Sequence, residues 1–343
     1  AESFDRHEYH NLAAGDLAAV ALEWVRRHGD RPFFCFVLFN DPHETTTPAA
    51  TDLRGFVAPG TDEALLRGLA RWGEPPAPDL GRCPLPLDGA ARAALALKLA
   101  VYAATVHEVD RAIGAMQDRL DAWGLGTGTL VSVFADHGEE FLEHAAEADR
   151  WAHDPRGLHG VGHGHTHFQE LLHVPWIAWG PGVPAACRVD APVSLLDLAP
   201  NLAAWLGVAP FRPDRGPGAA RCGALAQSLL GRAVDPAAAA NDRILCAEAI
   251  AYGPDLVMVR RGPWKLIAHR DGRPLAMHDL AADPGETRDR AGDHPGVVEE
   301  LTDFVRRWRE SGCGATGADG EPGSWTDLDD TVRQRLRDLG YSE

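Results

Sequence analysis

The chain has 343 residues, 45% of them hydrophobic and 24% charged, with a formal net charge of −17. That length exceeds one compact core and predicts a large and a small domain. The acidic balance argues against nucleic acid as a partner, because a phosphate backbone needs a basic face, and no uninterrupted apolar run approaches the roughly 20 residues of a bilayer span.

The first element is a helix over Leu17 to Arg27, where Leu17, Val20, Ala21 and Trp24 share a face and Gly29 is a stop. Phe33 to Phe39 is a continuous apolar run, the pattern of a strand buried on both sides in a parallel sheet. Cys35 within it reads as a core residue. Residues 44–90 are rich in Thr, Pro and Gly and read as a long surface excursion with a short helix near Glu63 to Leu69. Leu95, Leu99, Tyr102, Val106, Val109, Ile113, Met116 and Leu120 then recur at alternating spacings of four and three, which predicts a long amphipathic helix ended by Gly124.

Thr129 to Ala135 reads as the next buried strand and Val174 to Trp179 as another, with a histidine-rich stretch between them. Ser194 and Asp197 have the spacing of a capping box before a helix that Gly207 stops. Residues 209–242 read as a linker or insertion. Four short strands follow, at Ile244 to Ile250, Leu256 to Arg260, Trp264 to Ala268 and Leu275 to Leu280, with an Asp271-Gly272 turn between the last two. A helix over Val297 to Trp308 closes the pattern, and 311–325 is Gly-rich. Strands alternating with helices, then a meander with one helix, predict a layered α/β domain followed by a small α+β one.

Three places carry residues fit for chemistry. Asp136-His137 follows a strand directly, where ligands bind in open α/β sheets. A carboxylate beside an imidazole there reads as a pair of ligands for a divalent cation, or as an ordinary polar turn. His43, in Asn40-Asp41-Pro42-His43, also stands just past a strand. The third is a cluster of histidines from His144 to His173, with Gly162-His163-Gly164-His165-Thr166-His167 at its centre. The chain has no G-x-S-x-G elbow, Walker loop, H-E-x-x-H or Rossmann glycine fingerprint. No two of the six cysteines form C-x-x-C.

In order, these segments resemble the sulfatase family of the alkaline phosphatase superfamily. Pro32-Phe33-Phe34 through Asp41-Pro42-His43 looks like its PFF-strand-DPH block, and Val109 to Gly114 like its VDxxIG helix. Thr129 through Asp136-His137-Gly138-Glu139-Glu140-Phe141 is similar to a strand ending in SDHGEEF. Gly164 to Pro175 is similar to GHTLYEELLRVP, Val193 to Pro200 to VSLVDLAP, and Leu336 to Tyr341 to a closing LRxLGY.

The resemblance implies an alkaline-phosphatase-like α/β fold: a layered sheet with flanking helices, plus a small C-terminal α+β subdomain with an antiparallel sheet. It implies a catalytic domain at 1–235, the subdomain at 236–310 and a tail at 311–343. It also implies metal-dependent hydrolysis of sulfate esters. Asp136 and His137 would be ligands of one divalent metal, often calcium, and His43 and His165 would contact a small anionic ester. His165 is preferred to His163 because it directly precedes Thr166. Relatives open with a strand bearing two acidic ligands and then a nucleophile, a Cys in C-x-P-x-R or a Ser or Thr. Neither block is present, and Cys83-Pro84 lies after the block that the nucleophile should precede. The expectation is therefore a truncated chain without activity of its own. Phosphate-ester chemistry on the same scaffold, or a metal-binding scaffold without catalysis, are the alternatives.

Overall fold

The computed structural model describes residues 12–43, 53–57, 59, 61, 80–151, 160–207, 243–248 and 253–310. The chain forms two compact units, parted between Leu130 and Val131.

In the first unit, α1 spans Ala14–His28 and α2 spans Gly89–Ala122. Asp16 lies in the first turn of α1 and Arg26, Arg27 and His28 in its last, which complements the helix dipole. The α2 helix begins six residues before its predicted apolar pattern, because Asp88 accepts a hydrogen bond from the Ala91 N–H and caps it. The two helices meet through the small side chains Ala14, Ala18 and Ala112, flanked by Phe39, Val109 and Met116. At 34 residues, α2 is by length and composition long and apolar enough to cross a membrane. A count of uninterrupted apolar residues misses it, because Arg92, Lys98 and the acidic groups near Val109 divide the run.

The predicted strand at 33–39 is not formed. The segment is irregular in structure, with Phe34, Phe36 and Leu38 each more than half exposed, and Cys35 is exposed rather than part of the core. A run apolar on both sides needs a covering layer on each face and a ladder partner for its backbone. Among the described residues no strand pairs with it.

In the second unit, β1 (Val131–Phe134) pairs antiparallel with β4 (Trp176–Trp179), and Trp176 Nε1 donates to Ser132 Oγ across the pair at 2.9 Å. Both strands were expected to be buried, yet all four β1 residues are only half-buried and Ile177 is exposed. Between them lie β2 (Glu140–Phe141), α3 (Ala145–Trp151), β3 (Val161–Gly162) and α4 (Gln169–Leu172), with β2 and β3 paired antiparallel. The capping box forms as read: the Ser194 hydroxyl accepts from Leu196, and Asp197 accepts from the Ser194 N–H at 2.8 Å, ahead of α5 (Leu198–Trp205). Gly207, just beyond, has φ +65°. Buried Asp197 also takes a 2.5 Å ion pair from Arg243.

The four predicted C-terminal strands form one antiparallel sheet in sequence order, β5 (Ile244–Glu248), β6 (Leu256–Arg261), β7 (Trp264–His269) and β8 (Pro274–Asp279). Gly272, at φ +89°, turns the last hairpin. Period-two alternation gives the sheet two apolar faces. Val257, Val259, Leu266, Ala268 and Met277 pack under Leu301 and Val305 of α6 (Pro295–Glu310). Leu256 and Ile267 point the other way, onto Phe168. Each fully buried side chain of this kind contributes about 2 kcal/mol, so the second face fastens the Phe168 segment to the sheet. The expected short helix at 63–69, the linker at 209–242, the stretch at 311–325 and the block at 336–341 lie outside the described residues.

Candidate functional site

The β2–β3 ladder builds the site. Its register opposes Glu140 to Gly162 and Phe141 to Val161, so one step further along Glu139 stands across from His163. Their side chains meet: His163 Nδ1 lies 2.9 Å from Glu139 Oε2. A carboxylate can only accept, so Nδ1 carries the proton and the imidazole lone pair is on Nε2. Next to it, His137 stacks on His163 with ring centroids 4.0 Å apart. His137 Nδ1 is 2.9 Å from the Gly138 carbonyl, which again fixes the proton on Nδ1. Ligand atoms of His137, Glu139 and His163 lie within 4.8 Å of one another and can hold a metal ion.

Asp136 adjoins this group but faces out. Its side chain is 75% exposed, and Oδ1 accepts from the His137 N–H at 3.0 Å and lies 3.8 Å from His137 Nε2. His165 is placed differently from His163. It is 2% exposed, and its Nε2 donates to the equally buried Glu140 Oε2 at 2.7 Å. Alternate residues of the loop thus serve alternate neighbours, Glu139 to His163 and Glu140 to His165. His43, in the first unit, has its N–H on the Asn40 carbonyl at 2.8 Å. Beside it burial pushes the Asp41 carboxyl up to about 6, with Glu108 adding to the rise and the Ala14 N–H opposing it.

Two glycines let this strand end approach its supports. A Cβ on Gly138 would stand 1.9 Å from the Glu170 carbonyl oxygen, and the Gly138 N–H donates to the Leu171 carbonyl. Gly160 has φ +62°, and a Cβ there would lie 2.4 Å from Ala145 Cα and 2.8 Å from Glu140 Oε1.

Behind the loop lies a network of buried charge that the sequence did not suggest. His144 places Nδ1 2.6 Å from Glu170 Oε1 and Nε2 3.1 Å from the Gly285 carbonyl. Both partners accept, so both ring nitrogens carry protons and His144 is a cation. Burial pulls its pKa down, but the Glu170 hydrogen bond and the charges of Glu170, Glu140 and Glu286 raise it above the ordinary value. Lys265 and Glu286, both 0% exposed, pair at 2.7 Å. Glu286 Oε2 also accepts from the Gln169 N–H that starts α4, at 2.6 Å. Glu286 stands in an Asp283-Pro284-Gly285-Glu286 block that, with Trp264 to Ile267, resembles the family's C-terminal sheet, but its spacing does not show the pairing, because its partner is 21 residues away and on another element.

Among the described residues this group offers two imidazole nitrogens and one carboxylate, with the Asp136 carboxylate 3.8 Å from His137 Nε2, a donor set that can hold a divalent cation.

Comparison with known proteins accords with this order of elements. Residues 4–208 match the family model described as Sulfatase. Arylsulfatase K of Danio rerio is 29% identical over 219 residues, covering 60% of this chain and 36% of that protein. Arylsulfatase K of Xenopus laevis is 27% identical over 223 residues, with the same two coverages. The chain thus spans about a third of the length of the curated relatives it matches. A structure in complex with its substrate D-glucosamine-2-N,6-O-disulfate superposes with a TM-score of 0.62 at 18% identity, covering 90% of this chain and 72% of that one. A phosphonate monoester hydrolase from Silicibacter pomeroyi gives 0.57 at 18% identity, covering 94% and 66%. At such identities the likeness is one of fold: mixed α/β, alkaline-phosphatase-like, with the small antiparallel sheet in the C-terminal region.

Proposed function

Because the chain belongs to the sulfatase family, we propose that it is the metal-binding and substrate-facing part of an enzyme that hydrolyses sulfate esters. The observation that carries the reading is the strand end where His137 and His163 stack beside Glu139, joined to a family match over 4–208. In this reading Asp136 and His137 hold one divalent cation, which when bound neutralises the anionic ester oxygens. The chain's own residues orient the ester and move protons. His163, whose Nδ1–H donates to Glu139 in this tautomer, is the imidazole next to His137, and its Nε2 is proposed to take up a proton there. His43 is proposed as a second imidazole at the substrate. His165, held by Glu140, sets the conformation of the loop on which His163 stands. Residues 1–235 are proposed as the catalytic domain and 236–310 as its subdomain. We assign α2 to the folded protein rather than to a bilayer, since Ala104, Thr105 and Ala112 are buried and α1 packs along it.

The attacking group is not among these 343 residues as C-x-P-x-R. The test therefore uses the protein from its source, with its mass and N-terminal peptide defined first. It is expected to turn over 4-nitrophenyl sulfate in preference to 4-nitrophenyl phosphate, with turnover cut about 100-fold or more by His137→Ala. Preference for the phosphate ester, or equal activity in His137→Ala, would overturn the reading.

A further inference from the structure

His144 joins three segments of the second unit. Its N–H donates to Glu140 Oε1 of β2 at 3.1 Å, and its ring lies flat on Phe168, with centroids 3.7 Å apart and planes 5° from parallel. Nδ1 donates to Glu170 Oε1 of α4 at 2.6 Å, and Nε2 to the Gly285 carbonyl beyond β8 at 3.1 Å. The ring is buried, so a neutral imidazole, with one N–H, would leave one of these acceptors facing a lone pair. The charged groups around it are Glu140 of β2, Glu143 just after it, Glu170 of α4, Glu286 next to Gly285 and, across Phe168, Lys265 of β7. Burial raises the Glu143 carboxyl, Lys265 is paired with Glu286, and His278 of β8 meets the edge of Phe168. Two bonds carry the state of this ring to the site. Glu286 starts α4 by accepting from the Gln169 N–H, and the Leu171 carbonyl of α4 takes the Gly138 N–H beside His137 at 2.8 Å.

We propose that His144 is a positioning residue for the histidine loop and makes the order of that loop depend on pH. With both ring protons it ties Glu170 to Gly285. When one proton leaves to water, the charge-assisted Glu170 bond keeps the other on Nδ1, and the Gly285 bond is lost. Glu286 and α4 are then held less firmly, and with them the backing of His137 and His163. Burial lowers the pKa of this ring, and the Glu170 hydrogen bond with the charges of Glu170, Glu140 and Glu286 more than offsets it. The tie is therefore closed at acid and neutral pH and opens as pH rises through the raised value. The inference rests on the proposed function in taking His137 and His163 as the groups to be positioned.

The experiment is an NMR titration of the full chain, labelled with 15N-histidine, from about pH 5 to about pH 9, with the His144 ring assigned through its contact with Phe168. Two ring protons are expected at the acid end and one, on Nδ1, at the alkaline end, with a midpoint above about 6.5. Protection of amides 169–173 and 286 from exchange, corrected for the intrinsic rate, is expected to fall about 10-fold across that midpoint. Glu170→Gln keeps an acceptor at Nδ1 without the charge, and is expected to lower the midpoint by about one unit or more and to move the loss of protection with it. In the protein from its source, the alkaline fall in kcat for 4-nitrophenyl sulfate is expected to shift with the same variant, which a merely structural tie would not produce. A single ring proton at the acid end, protection that ignores the midpoint, or a midpoint or kcat limb unmoved by Glu170→Gln each overturns the proposal. A protein without ester turnover overturns the reading of function instead, and the ring titration and exchange then decide the tie alone.

Discussion

At the scale of single residues, two buried histidines pull stability in opposite directions with pH. His167 is 3% exposed, and burial, with Lys265 adding to it against Asp255, lowers its pKa to about 3. Its folded value lies below the unfolded one, so the unfolded chain takes up its proton first and stability falls as pH drops below about 6.5. Each unit costs about 1.4 kcal/mol, so from pH 7 to pH 5 the loss from this one group is about 2 kcal/mol. His144 has the opposite sign. Its raised pKa contributes stability that is fully present below the unfolded value and is lost as pH rises through the folded one. Urea unfolding in chelator across this range checks both. His167→Leu is expected to lack the acid-side loss and His144→Gln the alkaline-side loss. A pH slope unchanged by His167→Leu would count against a neutral, buried ring.

At the scale of elements, the sequence carried α2 in the first unit and most of the second. Periodicity and punctuation placed the four-stranded sheet and α6, because each buries one continuous face that the spacing of apolar residues records; α2 formed where its spacing predicted, but Leu99 and Val106 of the predicted stripe are exposed while Ala104, Thr105 and Ala112 are buried. The same reasoning failed at 33–39, where an apolar run implies a ladder partner but cannot supply one. The site was legible as Asp136-His137 and a set of histidines. Which histidine faces His137 was not. That is decided by the β2–β3 register, in which one residue of slip would exchange His163 for a neighbour. Glu139 and Glu140 stood in the sequence as an ordinary acidic pair, and only the ladder shows that they serve different rings. Gly160 holds this register, so Gly160→Ala is expected to cost about 2–4 kcal/mol, from the left-handed backbone and the contact with Ala145 together. Chemical denaturation measures the loss. If the ladder is what sets the site, the variant also loses affinity for a divalent cation, whereas a loss of stability with full affinity would separate the two.

At the scale of the second unit as a whole, the question is why a small sheet far along the chain belongs with the histidine loop. The apolar contact of Leu256 and Ile267 with Phe168 is one tie. The Lys265–Glu286 pair is the other, and it reaches α4 directly because Glu286 accepts from the Gln169 N–H and Lys265 Nζ lies 3.3 Å from Gln169 Oε1. Glu286 holds a φ of +53°, a strained backbone for a residue with a Cβ, which these bonds offset. Two charges buried together at 0% exposure are weak evidence for net stability, but removing one strands the other. Lys265→Met is therefore expected to cost about 3–5 kcal/mol, and Lys265→Met with Glu286→Gln less than Lys265→Met alone. The location of the effect matters more than its size. If the pair serves to hold the loop, hydrogen exchange in Lys265→Met rises for amides 163–172 while the β6–β7 ladder stays protected. Exchange rising equally through β5–β8 would mean that the pair merely supports the sheet, and that the loop keeps its shape through Phe168 and the Glu139 and Glu140 contacts without it.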